Sequence, residues 1–531
     1  MSSNGNPSTE AGAFAPFASG AFTLLWTATL ISNIGTWMHE VGAGWLMTTL
    51  NPDPAVVTLV QAATTLPVFC FALLAGALAD RMDKRRLLIG INLALMAVIS
   101  LLALLVWRDA MTPKLLIVFT LAIGTGAAFM APAWQAVVPQ LVPRTNLRPA
   151  IALNSMGINI SRAIGPALAG VLIATLGLAA PFVLNALSFV VIIAALLLWR
   201  PAPVPPKASR TTILAEMGTG LRHVRHNPAM LATLIRAAAF FVFASAYWAL
   251  LPLIARGAEG GGSELYGALT ALIGTGAVAG ALLLPRLKKR FNSDQTVQIG
   301  TFGTVIALLA MAASDAPAVL MAAALLGGLS WIATLTSFHV SAQTALPDWV
   351  RARGLAVFLM VFFGSMSAGS VAWGQAAAKG SIPMTLLAAA AGLALALFAT
   401  RRFKIGQGET QDLTPASVWP DAPAISEGHS GDRPAMVTVE YQIAAGDRQT
   451  FLKLITRFSK ERLRDGATRW HLHQNVEDPG SWIETFHLPS WFEHLEQHKR
   501  VTSADVTAQS ELKVLDLRPD GPTVRHYIKP V

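Results

Sequence analysis

Between residues 21 and 400 the chain alternates long apolar runs with short polar loops that carry most of the charge. Twelve runs lie near 21–46, 55–79, 87–107, 115–138, 150–176, 181–199, 229–255, 265–284, 296–313, 317–341, 353–377 and 382–400. Crossing about 30 Å of hydrocarbon takes roughly 20 residues of helix, so each run predicts a membrane span. The sixth and seventh runs are separated by a longer polar stretch, Arg200 to Pro228. It opens with Pro201-Ala-Pro-Val-Pro-Pro206 and then reads as a surface helix.

A shift of 204 residues lays the chain on itself without a gap. Gly76 then falls on Gly280, Lys84 on Lys288, Arg86 on Arg290, Gly124 on Gly328, Ser161 on Ser365, Gly165 on Gly369 and Gly170 on Gly374. The matches sit at glycines, prolines and basic loops, where backbone geometry and membrane topology are set. Lipid-facing positions need only be apolar and drift. One helical unit duplicated in tandem indicates a transporter, because a mere anchor needs one or two spans.

After Lys404 the pattern changes. Gly406 to Pro434 is rich in Pro, Ser, Gly and Asp and reads as a linker. Met436 to Ile443 alternates like a strand, and Gly446-Asp447 opens a helix whose apolar face is Phe451, Leu454, Ile455 and Phe458. Trp470 to Asn475 and Ser481 to Leu488 flank the turn Asp478-Pro479-Gly480 as a hairpin. A second helical region starts at Pro489, and Thr523 to Lys529 closes as a strand. The order β-α-β-β-α-β is ferredoxin-like.

The expected fold is therefore an all-α membrane protein of twelve transmembrane helices in two six-helix parallel repeats, plus a small C-terminal α+β ferredoxin-like domain. The expected divisions are an N-terminal tail 1–20, a six-helix half 21–199, a linker 200–228, a second half 229–404, a flexible linker 405–434 and a soluble domain 435–531.

Composition agrees: 53% of residues are hydrophobic and 13% charged, where a soluble chain carries about 25% charge. The basic residues gather in short loops, so the net charge of +10 reports membrane orientation rather than a nucleic-acid partner. Twenty lysines and arginines fall on one face, among them Arg81, Lys84, Arg144, Lys288 and Arg351. Four fall on the other: Arg108, Lys114, Arg256 and Lys379. That asymmetry predicts a multi-pass protein of the cell (inner) membrane with both termini in the cytoplasm. The single cysteine, Cys70, excludes an intrachain disulfide. Met1 to Pro16 has no basic residue and no short apolar core, so no cleaved signal is expected. No Walker phosphate loop occurs, which argues against ATP as the power source.

The loop after the second span reads Gly76-Ala-Leu-Ala-Asp80-Arg81-Met-Asp83-Lys84-Arg85-Arg86. It resembles the signature loop of the major facilitator superfamily. The resemblance implies that Asp80, Arg81 and Arg85 belong to a cytoplasmic charge latch that breaks as the halves rock. Two positions depart from the pattern: Asp83 stands where the family usually has glycine, and Leu284 stands in the second copy where Asp80 would be. Any latch would be one-sided. Span five carries Ser161-Arg162-Ala-Ile-Gly165-Pro166-Ala-Leu-Ala-Gly170, which is similar to the glycine-proline motif of antiporters in this superfamily. The glycines allow close helix packing and Pro166 permits a kink.

Arg162 lies near mid-span, where a charge costs at least about 2.5–3.5 kcal/mol unless it is paired or wet. It either faces the bundle interior and meets substrate or a coupling carboxylate, or anchors the helix through carbonyls. Glu40, beside His39 in span one, is the only carboxylate placed well inside a span. Proton antiport needs a group that gains and loses a proton, and a sheltered carboxylate suits that role. At about 1.5 Å per residue its depth differs from that of Arg162 by a turn or two, so direct pairing would need both side chains extended. Arg236, in span seven, is a further transport candidate within snorkelling reach of the cytoplasm. Asn33, Gln135, Asn154, Asn159, His339 and Gln343 add polar groups to spans one, four, five and ten. By the resemblance, helices one, four, seven and ten line a cavity.

The tail contains Trp482-Ile-Glu484-Thr-Phe486-His487 followed by Trp491-Phe-Glu-His494-Leu-Glu-Gln-His498. It resembles the tail of the transmembrane secretion effector group, relatives of enterobactin exporters, and more remotely the antibiotic-biosynthesis monooxygenase-like dimeric barrels. A homodimer through the tail is what that second resemblance implies. His471 and His473 share a strand face, and His494 and His498 are one helical turn apart. A metal site can be imagined there, but such histidines are more often surface or interface groups, so no metal, cofactor or catalytic residue is expected.

The function expected is secondary active export of a small molecule such as a siderophore or drug, with a lipid bilayer and protons as the other partners. The alternative is a membrane-tethered enzyme or ligand sensor acting through the tail.

Overall fold

The computed structural model describes residues 12–200, 213–410, 412–414, 416 and 431–529. Six long helices make the first half: α1 (Gly20–Leu50), α2 (Pro54–Arg81), α3 (Lys84–Trp107), α4 (Pro113–Val137), α5 (Leu147–Leu176) and α6 (Ala180–Leu198). After α7 (Ile213–Arg225), a surface-type helix, come α8 (Pro228–Gly257), α9 (Ser263–Lys288), α10 (Ser293–Ala313), α11 (Pro317–Thr344), α12 (Arg351–Lys379) and α13 (Ile382–Ala399). Their starts are written locally. Asp53 accepts from the Ala55 amide at 2.9 Å with Pro54 as the first helical residue of α2. Asp83 accepts from the Arg86 amide at 2.7 Å, and Asn292 and Gln295 cap α10 reciprocally.

Among the described residues eleven helices are long and apolar enough to cross a membrane. The first predicted span, α1, is long enough but is not one of the eleven. Ser32, Asn33, Thr36, His39 and Glu40 lower its hydropathy, and several of these face the interior rather than lipid.

Packing divides the described residues into two units, one drawn from 1–210, 235–338 and 358–403 and the other from 211–234, 339–357 and 404–531. In the first unit the repeat shows in its glycines. Gly124 of α4 meets the Ala63 and Thr64 carbonyls of α2, and its equivalent Gly328 of α11 meets Ile273 of α9. Gly165 brings α5 onto α1, where a Cβ would lie 2.6 Å from that of Trp37; Gly369 brings α12 onto α8 at Val242 and Ser245. The next pair crosses between halves. Gly170 of α5 abuts Ser263 and Gly267 of α9, and Gly374 of α12 abuts Pro54 and Thr58 of α2. Each half thus lends its fifth helix to the second helix of the other. Backbones approach where no side chain intervenes, which is how helices associate without a hydrophobic drive between them.

The second unit contains a four-stranded antiparallel sheet of β1 (Ala435–Gln442), β2 (Arg469–Gln474), β3 (Ser481–Leu488) and β4 (Thr523–Ile528), in the order β2-β3-β1-β4. Helices α14 (Arg448–Asp465), α15 (Trp491–Arg500) and α16 (Ser503–Val514) complete it. Val437, Val439, Phe451, Ile455, Phe458 and Phe486 form the core. Buried among them, Glu484 accepts from Tyr441 Oη at 3.0 Å and Trp470 Nε1 at 2.9 Å, and Arg462 Nε donates to it at 3.3 Å. A buried carboxylate persists only with such partners. Within 405–434, the amide of Gly406 donates to Ser341 Oγ at 3.0 Å and that of Ala416 to the Val501 carbonyl at 2.9 Å. Residues 417–430 lie outside the described residues.

Candidate functional site

A cavity of about 130 Å³ opens inside the first unit. Its walls come from α1 (Thr36, Trp37, His39, Glu40), α2 (Gln61, Thr64), α4 (Thr120, Met130), α6 (Asn185, Phe189), α8 (Trp248, Pro252) and α9 (Tyr266, Thr270). Glu40 is the only carboxylate in this lining, and it is exposed to the cavity. His39 is buried beside it, edge-on to Phe182 with ring centroids 4.9 Å apart.

Arg162 sits at the middle of α5, and its guanidinium lies 5.1 Å from the centre of the Trp37 ring. Gly274 of α9 packs beneath it; a Cβ there would come within 2.7 Å of the Arg162 carbonyl oxygen. Its Nε is buried without a hydrogen-bond partner. No hydrogen bond or ion pair joins Arg162 to Glu40, which lies three residues along α1 from Trp37. An aromatic face supplies about 0.5–2 kcal/mol to a cation, less than its cost at mid-membrane. A carboxyl on α1 and a guanidinium on the neighbouring α5 thus stand close in the bundle without a hydrogen bond or ion pair between them.

The other sequence candidates lie elsewhere. Arg236 is buried and ion-paired with Asp294 at the start of α10, which also accepts from Gln298 at 2.9 Å. Arg85 donates to the carbonyls of Leu196 at 2.7 Å and Leu197 at 2.8 Å, so it caps α6 within its own half. Arg81 is exposed, and the side chain of Asp80 lies outside the described residues. Asn154 accepts from Trp134 at 3.3 Å, and Asn159 bonds the Ser155 carbonyl of its own helix at 2.9 Å. Neither they nor Asn33 and the exposed Gln135 line the cavity. His339 and Gln343 are exposed residues of the second unit. Thr36, Gln61, Asn185 and Tyr266, which do line the cavity, carry no sequence signal beyond an isolated polar group in an apolar run.

In the second unit a cavity of about 360 Å³ is lined by Lys453, Arg457, Lys460, Glu461 and Arg464 of α14 together with His223, His226 and Pro347. Burial pushes the Glu461 carboxyl up to about 8, with Asp505 adding and Arg464 opposing. The histidines of the tail are not all surface groups. His494 is 1% exposed, because α15 turns it inward against His526 of β4 and Trp491.

The family profile described as transmembrane secretion effector matches residues 11–531. The chain belongs to this family. It is similar to the staphyloferrin A transporter of Staphylococcus aureus (strain NCTC 8325 / PS 47), with 26% identity over 331 residues, 62% of this chain and 82% of that protein. It is also similar to the enterobactin exporter EntS of Salmonella choleraesuis (strain SC-B67), with 26% identity over 337 residues, 62% of this chain and 78% of that protein. Among solved structures, the inward-facing, unoccupied form of a bacterial homolog of the human lysosomal transporter Spinster shares the fold, with a TM-score of 0.56 and 15% identity. That match covers 73% of this chain and 98% of the other. This secretion effector is a membrane transporter of the major facilitator superfamily, not an enzyme.

Proposed function

We propose that the chain is a twelve-span secondary transporter that exports a small amphipathic molecule, a siderophore or a drug, in exchange for protons. The observation that carries this reading is the cavity whose one carboxylate, Glu40, lies on α1 three residues from Trp37, the ring that holds Arg162, and is not paired to that arginine. A carboxylate that is accessible and unpaired can take up a proton, and a nearby guanidinium can hold an anionic group of a substrate or, in another state, the carboxylate itself. The siderophore-transporting relatives support the substrate class.

In this reading α1 is the twelfth span, its polar face turned to the cavity. The basic loops lie in the cytoplasm of a cell whose inner membrane holds the protein, with both termini on that side. The contacts that join the halves, Gly170 to Ser263 and Gly374 to Pro54, fall at the helix ends away from those loops. Arg162 with Gly274, and Ser367 donating to the Ala62 carbonyl at 3.3 Å, continue the contact toward mid-helix. This is the arrangement of a transporter closed on its outer side. Asn33, Asn154 and Asn159 occupy the basic-loop side or middle of their helices and fit an inner vestibule. The ferredoxin-like tail regulates transport or pairs two copies. Retention of candidate siderophores and dyes by cells with and without the protein tests the reading: export requires lower retention when the protein is present. Equal retention of every compound at verified membrane abundance would remove the case for export.

A further inference from the structure

We propose that His494, His498 and His526 form a binding site for a divalent transition-metal ion, with Zn²⁺ the ion it fits and a fourth coordination position left for water. Each imidazole offers one ring nitrogen, and the three nitrogens lie within 4.8 Å of one another. Local structure puts them there. Ser490 caps α15 by accepting from the Glu493 amide at 3.1 Å, and an i, i+4 spacing then sets His494 and His498 one above the other on the same helix face. His526 comes from β4, where it pairs opposite the buried Val437 and so shares its side of the sheet. His498 and His526 are 28 residues apart in the chain, and the pairing of β4 with β1 together with the packing of α15 on the sheet brings them together.

The geometry is that of ligands around a small tetrahedral ion. The Nε2 atoms of His494 and His498 are 3.2 Å apart; two zinc–nitrogen bonds of about 2.0–2.1 Å at the tetrahedral angle place their nitrogens about 3.3 Å apart. Gln497, itself 1% exposed, sets Oε1 3.4 Å from His494 Nδ1. With that oxygen as acceptor, Nδ1 carries the proton and Nε2 presents its lone pair toward His498. This is the outer-shell hydrogen bond that metal-ligating histidines use. Trp491 walls the site, with ring centroids 5.1 Å from His494 and 5.6 Å from His526. His498 and His526 are half-buried, which leaves a way in. Three neutral imidazoles select zinc, copper, nickel or iron over magnesium and calcium, which prefer oxygen ligands. A bound ion would pin α15 to β4.

The test uses the purified full-length protein with any affinity tag removed and the metal stripped by chelator. It is titrated with Zn²⁺, and with Co²⁺ as a spectroscopic probe. One equivalent per chain and the visible d–d bands of a tetrahedral Co²⁺ site are expected. His498→Ala and His526→Ala should each abolish that binding with unchanged elution volume and helical circular dichroism. Gln497→Ala should weaken it about 10–100-fold, and the double variant of the exposed strand pair, His471→Ala with His473→Ala, should leave it intact. Hydrogen exchange on the unmutated chain gives an independent reading, since Zn²⁺ should slow exchange in α15 and β4. The proposal is overturned if the wild type binds no ion or if binding survives both single histidine substitutions. Loss of binding only with His471 and His473, or unchanged exchange in α15 and β4, would also overturn it.

Discussion

The guanidinium of Arg162 lies 5.1 Å from the centre of the Trp37 ring, so the charge at the middle of α5 rests on an aromatic of α1 rather than on a carboxylate. Its Nε is buried without a partner. An arginine so placed is available to an incoming anionic group, and its planar fork engages two acceptors where a lysine engages one point. Arg162→Lys should therefore reduce transport while membrane abundance stays near wild type, and Arg162→Ala should abolish transport. Export at the wild-type rate by Arg162→Ala would make the residue an anchor only.

Arg236 and Asp294 tie α8 to α10 and leave the arginine side chain 2% exposed. Removing one partner of a buried pair costs about 3–5 kcal/mol, whereas replacing both with apolar groups is often neutral. Arg236→Met should lower abundance and thermal stability, and the double substitution Arg236→Met with Asp294→Leu should recover most of the loss. Thermal unfolding in detergent checks this. Transport per inserted molecule should change little in the double variant, and its complete loss there would assign the pair to the transport cycle.

Glu461 gives the tail a pH dependence. Burial is the main reason its carboxyl is raised from 4.5 to about 8. Between those values the folded tail holds a proton that the unfolded chain has released. The stabilisation is fully present below pH 4.5 and is lost as pH rises toward 8. Glu461→Gln should flatten that decline, and hydrogen exchange of α14 in the full chain should become slower at pH 8 while changing little at pH 5. Equal effects at both pH values would show that the carboxyl does not titrate in this window.

The Glu484 carboxylate, fully buried beneath Tyr441, Trp470 and Arg462, should be the least replaceable charge of the tail. Glu484→Ala takes from the buried Arg462 its carboxylate partner, and breaking a buried pair costs about 3–5 kcal/mol. Limited proteolysis should show faster cleavage between residues 435 and 529, with the membrane helices still protected. Unchanged protection of the tail would contradict the pair's structural role.

Much of the bundle is legible because membrane helices are written in long runs and because glycines mark backbone contacts. Gly124 with Gly328 and Gly165 with Gly369 match in sequence and do the same work in space. The alternation of Met436 to Ile443 and the hairpin turn at Asp478-Pro479-Gly480 likewise carry over to β1 and the β2–β3 pair. What sequence does not carry is partner choice. Arg85 sits in a basic loop that reads as a latch, yet its acceptors are the carbonyls ending α6, which no motif announces. His494 reads as a surface residue of a charged helix. Its burial depends on His526, which arrives through strand pairing far along the chain. The weak hydropathy of α1 has the same origin, since polar residues that line an interior lower the average of a helix that still runs 31 residues.

The most direct test of proton-coupled export is a transport assay in proteoliposomes with an imposed pH difference and a trapped pH-sensitive dye. Substrate is a siderophore or dye shown to be exported in cells. The wild type should drive substrate up its own concentration gradient while protons move down theirs in the opposite direction. Glu40→Gln, which keeps the shape but cannot ionise, should lose the dependence on pH and the linked proton movement. Uphill transport by the wild type with no response to the pH difference, or an unchanged pH profile in Glu40→Gln, would contradict the coupling role placed on this carboxylate.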